Sequence, residues 1–588
     1  MGNYVGPKNY TKRERLEILR AQLENEKASF RAHWQDLGNY ILPRRPRWFT
    51  GDANQGDRRN TKIIDSTATL ASRTLRAGMM GGVTSPARPW FRLTTPDPDI
   101  AEEGAVKEWL STVSTRMSTV FLRSNLYNAL PIVYGDIGTF ATSSMIVEED
   151  FDEVIRCYPF PIGSYAIANN DRLKVNVFYH EYRMTVRQLL EKFAKKTNDG
   201  YDLSNFSDTV KTAYENGHME TWIDVCHFIT PNDEYDEDRA ESKYKKFKSC
   251  YYEKGFIGTG NNTSYMQPGY DKFLRESGYD YFPVLCPRWE TTGEDTYGTS
   301  CPGMEALGDI RQLQLGEKRS MQAIEKMVMP PLTGPTSLRT TRVSLLPGDI
   351  SYNDEREGQR GLRPIHEVNP RINELEGKQE QVRIRIKRAF YEDLFLMLAN
   401  TDRREITARE VEERHEEKLL ALGPVLEQLN QDLLDPLIDI TFDIMLRQGL
   451  IPEPPEQLQG VKLKVEYISV MAQAQKLIGI AGVERFAGFV GNIATQIQDP
   501  SVMDKVDIDQ MIDVYGDLTS VPPGIIRTDE DVEAIRAQRA QAQQAAVMPT
   551  MARDAAGAAK DLSQADTEGK NALTDILRVA QAGQIAPQ

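Results

Sequence analysis

Apolar residues recur at three- and four-residue steps over Thr11 to Gly38, where Leu16, Leu19, Leu23, Phe30, Trp34 and Leu37 share one helix face. Thr11 with Glu14 gives a capping-box start, and Gly38 supplies a stop. After the turn Pro43-Arg44-Arg45-Pro46-Arg47-Trp48, a second helix is expected from about Lys62 to Met80, ended by Gly81-Gly82. Trp90-Phe91-Arg92-Leu93 reads as a short strand, and residues 105 to 137 as helical again. From about 145 to 290 the period shortens to two. Strands are expected at Met145-Ile146-Val147, Val154 to Tyr158, Lys174 to Tyr179, Trp222 to Ile229 and Tyr281 to Leu285, with one helix near Thr185 to Ala194. The acidic run Asp233 to Asp238 and the basic run Lys243 to Lys248 flank a hairpin, and both read as solvated surface.

Beyond residue 300 the helical period returns in long stretches. Pro302 to Met329 predicts a helix of ~40 Å at 1.5 Å per residue, ended by Pro330-Pro331. Residues 330 to 370 are rich in Pro, Gly and Thr, with a strand-like Arg342 to Leu346. A second long helix is expected from Arg371 to Leu396, carrying Ile372, Leu375, Val382, Ile386 and Leu394 on one face. The polar break Ala399 to Glu405 leads to a third helix from Thr407 to about Leu446, which Gly423-Pro424 should kink. Strand-like Lys462 to Tyr467 and smaller helices follow, and the Ala/Gln-rich end from Ala534 reads as helical or disordered tail. The fold class is α+β. Two long helices around a compact excursion describe an arm that runs out from a body and back.

Composition narrows what such an arm can do. With 40% hydrophobic and 27% charged residues, the 588-residue chain is that of a folded protein. Its longest apolar stretches, such as Leu394 to Ala399, fall far short of the ~20 residues a bilayer requires, and no apolar signal core opens the chain. No membrane partner and assembly in the host cytosol are therefore expected. The five cysteines (157, 226, 250, 286 and 301) have no metal-ligand spacing and read as buried thiols. The net charge of −15 argues against a protein that grips DNA phosphates, yet it suits a conduit whose walls must not hold their cargo.

Catalytic signatures fail on inspection. Gly377-Lys378 has Ile372 where a phosphate loop needs its first glycine, and His415-Glu416 has Leu419 where a zinc helix needs its second histidine. Gly298-Thr299-Ser300-Cys301-Pro302 is no nucleophile elbow. No enzyme, metal site or cofactor is expected.

Several strings, in order, resemble the head-to-tail connecting (portal) proteins of T7-like podophages: Arg59 to Ala68, Gly78 to Pro86, Trp90 to Leu93, Tyr297 to Ser300, Gly303 to Ile310, Pro330-Pro331-Leu332, Thr407 to Val411 and Leu422-Gly423-Pro424. No single string is specific; their joint order over most of residues 10 to 520 carries the resemblance. It implies a wing at 1–300, stem helices at 301–329 and 371–396, and between them a clip at 330–370. A tunnel loop at 397–406, a long kinked wing helix at 407–450, a crown at 451–525 and a tail at 526–588 complete the portal fold. Such proteins assemble as a dodecameric ring at a capsid vertex of the virion. Double-stranded DNA passes through the ring in packaging and ejection, and the ring helps to nucleate the procapsid. The partners implied are the terminase large subunit, a tail adaptor, the major capsid and scaffolding proteins, and internal ejection proteins.

On that reading Asn400, Asp402, Arg403 and Arg404 are the tunnel-loop candidates. Arg383, Arg385, Lys387 and Arg388 lie in the stem, either in salt bridges between subunits or lining the channel. Arg339, Arg342, Arg356, Arg360 and Arg363 are the clip candidates for partner binding. The alternatives are another virion ring, such as a tail adaptor or tube component, or a DNA-processing enzyme such as a packaging motor, against which the missing phosphate loop and acidic balance weigh.

Overall fold

The computed structural model describes residues 11–47, 58–97, 103–198, 200–254, 272–333, 363–364, 372–399, 422–458 and 463–468, with a few isolated positions and short pieces up to residue 542. Helix α1 (Lys12–Tyr40) begins with the expected capping box, Thr11 and Glu14 each bonding the other's backbone N–H. It does not stop at Gly38. That glycine lets Pro46 pack against the helix, since a Cβ there would lie 2.4 Å from the Pro46 ring. Helix α2 (Thr67–Gly82) starts later than its hydrophobic pattern suggests. Asp65 Oδ1 accepts from the Thr67 N–H at 2.8 Å and holds the chain out of helix until that point.

Strand β1 (Phe91–Thr94) finds its partner some 370 residues away, in β14 (Lys464–Tyr467), with Phe91 opposite Tyr467. The helical stretch expected at 105–137 is two helices, α3 (Gly104–Arg123) and α4 (Leu126–Phe140). They part at Asn125, whose amide donates to Cys157 O at 2.7 Å and accepts from Cys157 N at 2.8 Å, as a strand would.

The β-rich region forms two main antiparallel sheets. One joins β2 (Met145–Asp150), β3 (Val154–Pro159) and β11 (Val284–Leu285) in the order β11-β2-β3. The other joins β4 (Tyr165–Asn169), β5 (Val175–Thr185), β8 (Trp222–Pro231), β9 (Phe247–Glu253) and β10 (Arg275–Tyr279) in the order β10-β9-β8-β5-β4. The acidic and basic runs sit in and beside the β8–β9 connection, as the sequence suggests. Two small helices, α5 (Val186–Phe193) and α6 (Asp208–Glu215), cover one face of the five-stranded sheet with Leu189, Leu190 and Val210. Leu23 of α1 covers the other, over Tyr179, Phe228 and Tyr252. All five cysteines are buried free thiols.

Helix α7 (Pro302–Val328) takes its expected span, with Pro302 in its first turn. The helix expected over 371–396 is a correction: it is two helices, α8 (Ile372–Ala389) and α9 (Glu392–Ala399). The chain turns at Tyr391, which has φ 54°. The turn aims Phe390, Leu394 and Phe395 into the main core, where Phe395 lies so close to Gly78 of α2 that a Cβ there would overlap its ring. Because α9 runs to Ala399, residues 397–399 are helical and not part of a loop.

Residues 422–429 form α10 and Asp435–Arg447 form α11. Between them Asn430–Leu434 is a π-helical turn, in which the Asp435 N–H reaches back to Asn430 O. Pro436 explains it: its ring excludes the carbonyl four residues back, so the turn before it widens. Gly423-Pro424, the expected kink, stands in the first described turn, and the irregularity among the described residues lies farther on.

Candidate functional site: the paired helices and their excursion

Helices α7 and α8 pack antiparallel, and their contact is polar. Gln379 Nε2 donates to Ser320 Oγ at 2.8 Å, and Gly316 gives the room, since a Cβ there would meet Gln379 Nε2 at 3.3 Å. The excursion between the helices leaves and returns at one place. Strand β12 (Leu332–Thr333) pairs antiparallel with β13 (Arg363–Pro364), so residues 334–362 are closed off at their root by the register Leu332↔Pro364 and Thr333↔Arg363.

The base of the arm is tied to the body through Asp65. The buried Gln314 accepts from the N–H groups of Ile64 (2.6 Å) and Asp65 (2.9 Å) and donates to Asp65 O at 2.7 Å. Arg383 Nε then donates to Asp65 Oδ2 at 2.9 Å, its Nη2 to Glu317 at 2.5 Å and its Nη1 to Glu380 at 3.1 Å. Burial pushes the Asp65 carboxyl up, but the hydrogen bonds from Thr67 and the Arg383 guanidinium outweigh it and hold the group below its usual range.

This arrangement sorts the sequence-derived stem residues. Arg383 is committed to three carboxylates of its own chain, and Arg385 bonds both oxygens of Asp309, at 2.8 and 3.1 Å. A guanidinium held in this way has little left for a phosphate. Lys387 and Arg388 are exposed and have no side-chain partner among the described residues. Sequence reasoning missed Asp65, Gln314, Glu317 and Asp309. Asp65 lies inside one of the strings that carried the family resemblance, but nothing local marks it as a partner of residues some 250 to 320 positions away.

The remaining candidates lie mostly outside the described residues: Asn400, Asp402, Arg403 and Arg404 of the loop, and Arg339, Arg342, Arg356 and Arg360 of the excursion. Arg363 stands in β13 opposite Thr333. Among the described residues no group of His, Cys, Asp or Glu is placed to hold a metal ion, and no helix is long and apolar enough to cross a membrane.

A second tie holds α10, the π turn and α11 to the body. Arg288, almost fully buried, donates to both oxygens of Asp432 (2.9 and 3.1 Å) and to Leu173 O at 3.0 Å. Asp432 lies in the π turn, where Gln428 Nε2 also donates to it at 2.8 Å. The paired helices and this long helical segment are thus anchored separately to one rigid body.

Comparison with known proteins bears on this architecture. Residues 13–526 match the family described as bacteriophage head to tail connecting protein. The chain is 48% identical over 574 residues to the portal protein of Salmonella phage epsilon15, covering 98% of this chain and 99% of that one. It is 43% identical over 568 residues to a probable portal protein of Bordetella phage BPP-1, covering 97% and 98%.

Proposed function

The chain belongs to the bacteriophage head-to-tail connecting proteins, and from that membership we propose how its parts serve a portal. The portal role itself, that of a structural virion connector and not an enzyme, follows from near-full-length identity to named portal proteins. Connectors of this kind are oligomeric rings that link capsid and tail.

In our reading, twelve copies surround an axial channel at the capsid vertex, and double-stranded DNA passes through it. Helices α7 and α8 are the stem. The excursion rooted at β12 and β13 is the clip, which meets the terminase during packaging and the tail adaptor afterwards. The sheets with α1 to α6 are the wing, and α10 with α11 are the end of the long wing helix. The region beyond β14 is the crown facing the capsid interior, where scaffolding and ejection proteins would meet it. The observation that carries this reading is the arm itself: two long helices, one closed excursion, and a polar seam fastening the arm to the body.

The tunnel loop is assigned to 400–406. Arg403 and Arg404 stand out there against an acidic chain, and a ring of them would touch phosphates transiently without strong net grip. Replacing both with Ala should leave assembled rings intact and reduce packaged or retained DNA. Normal packaging and retention by the double variant would remove the loop from the mechanism. Substitutions within 335–365 should spare the ring and weaken terminase or adaptor binding; collapse of the ring would make that segment core instead of clip.

A further inference from the structure

The outer half of the arm has no cover from its own chain. From Leu315 to Val328 no residue of α7 is buried, and on α8 the buried positions among 373–389 are Gln379, Val382 and Ile386, which face α7. Helix α7 meets α8 through Gly316, Glu317 and Ser320. The opposite face of α7 carries Leu315, Lys318, Arg319, Gln322 and Lys326, spaced three and four residues apart and all exposed. The opposite face of α8 carries Gly377, Glu380, Gln381 and Ile384, with Glu374 and Glu376 at its flanks, again all exposed.

These two outward faces are complementary. Each has a large aliphatic side chain, Leu315 at 49% exposure and Ile384 at 43%. The pairing of Glu317 with Arg383 sets the two at nearly the same height along the arm. Toward the tip, cations prevail on α7 (Lys318, Arg319 and Lys326 against Glu325), and carboxylates prevail at matching heights on α8 (Glu374, Glu376 and Glu380 against Lys378). Glu380 also pairs with Arg383 of its own helix, which leaves its outer side open to a second cation.

We propose that the two faces are the halves of one heterologous seam: α7 of one copy seats on α8 of the next, with Leu315 against Ile384 and Lys318, Arg319 and Lys326 facing Glu374, Glu376 and Glu380. This rests on the ring reading and deepens it by naming the surface that joins neighbours. Because the two patches differ and lie on opposite sides of one arm, the contact is head-to-tail and repeats until the rotation closes. Nucleic acid as the occupant would account for the basic face alone. It gives no role to the acidic face or to Ile384.

Paired cysteines at Leu315→Cys and Ile384→Cys in the full-length chain test the seam. The native thiols are buried, and the new pair lies on opposite sides of the arm, beyond the reach of an intrachain disulfide. Oxidation of assembled protein should give a ladder of covalent multimers on a non-reducing gel, which neither single variant gives. In parallel, K318E/R319E and E374K/E380K should each lower ring yield at least tenfold, and their combination should restore it. Rings that form normally but give no ladder overturn the seam while leaving the ring reading intact. Rings that persist in K318E/R319E while losing duplex DNA retention make the basic face a DNA contact and also overturn the seam. Failure of the unmodified chain to form rings at all removes the reading beneath it.

Discussion

His180 and His227 stand directly opposite each other in the β5–β8 ladder, both fully enclosed. His227 stacks on Tyr251 with ring centroids 3.7 Å apart and shares a hydrogen bond with Ser249 Oγ, and His180 lies 4.3 Å from the Phe160 ring. Burial, with the nearby Arg47 charge, pushes His180 down to about 3, and burial with the charge of His180 pushes His227 well below its ordinary value. The unfolded chain takes up protons at these sites below about pH 6.5 and the folded chain does not. Stability should therefore fall with pH from about 6.5 toward 3, by up to about 1.4 kcal/mol per pH unit for each histidine. Urea midpoints at pH 4 to 7 check this: His180→Phe should flatten the slope relative to the native chain, and an unchanged slope would mean the site takes no part. Gly303 gives a second test. Its Cβ would lie 2.5 Å from the backbone oxygen of Thr139, so Gly303→Ala should cost about 1–3 kcal/mol in denaturant unfolding, because backbone cannot give way as a side-chain tip can. Both glycine and histidines stand in the sequence without a mark. Their meaning comes from neighbours far along the chain, and periodicity does not report such neighbours.

Elements were largely legible where a local rule decides them. The capping box at Thr11 fixed the start of α1, and Pro302 with Pro330-Pro331 bounded α7 within a residue or two. Failures came where tertiary packing overrides a run of good helix formers. Tyr391 breaks an otherwise continuous pattern because Phe390, Leu394 and Phe395 gain more by entering the core than by extending the helix. The widened turn at Asn430–Leu434 belongs to Pro436, while the sequence drew the eye to Gly423-Pro424. That turn positions Asp432 for Arg288, whose side chain is 3% exposed beside 12% for the carboxylate. Asp432→Ala should leave the Arg288 charge buried and uncompensated, costing about 3–5 kcal/mol. The change is measurable by thermal or denaturant unfolding; a loss under ~1 kcal/mol would show that solvent reaches the site.

At the scale of the molecule, the sequence conveyed the order of parts better than their joints. The long helices, the excursion and the strand-rich body are visible in periodicity, and their order carried the family. The joints are not visible, because Gln314, Asp65 and Arg383 become a unit only on folding. The stem arginines show the same limit. Their sequence suggests channel lining or links between subunits, while Arg383 and Arg385 form ion pairs within their own chain. That leaves Lys387 and Arg388 as the stem cations open to other partners among the described residues. An acidic chain with its arm fastened in this way suits a wall along which DNA slides, provided that copies close around an axis. Electron microscopy of the purified full-length protein tests that condition most directly. The account predicts closed rings of about twelve copies with a central hole wide enough for duplex DNA, ~20 Å or more. Monomers, open filaments or rings closed at the centre would contradict it.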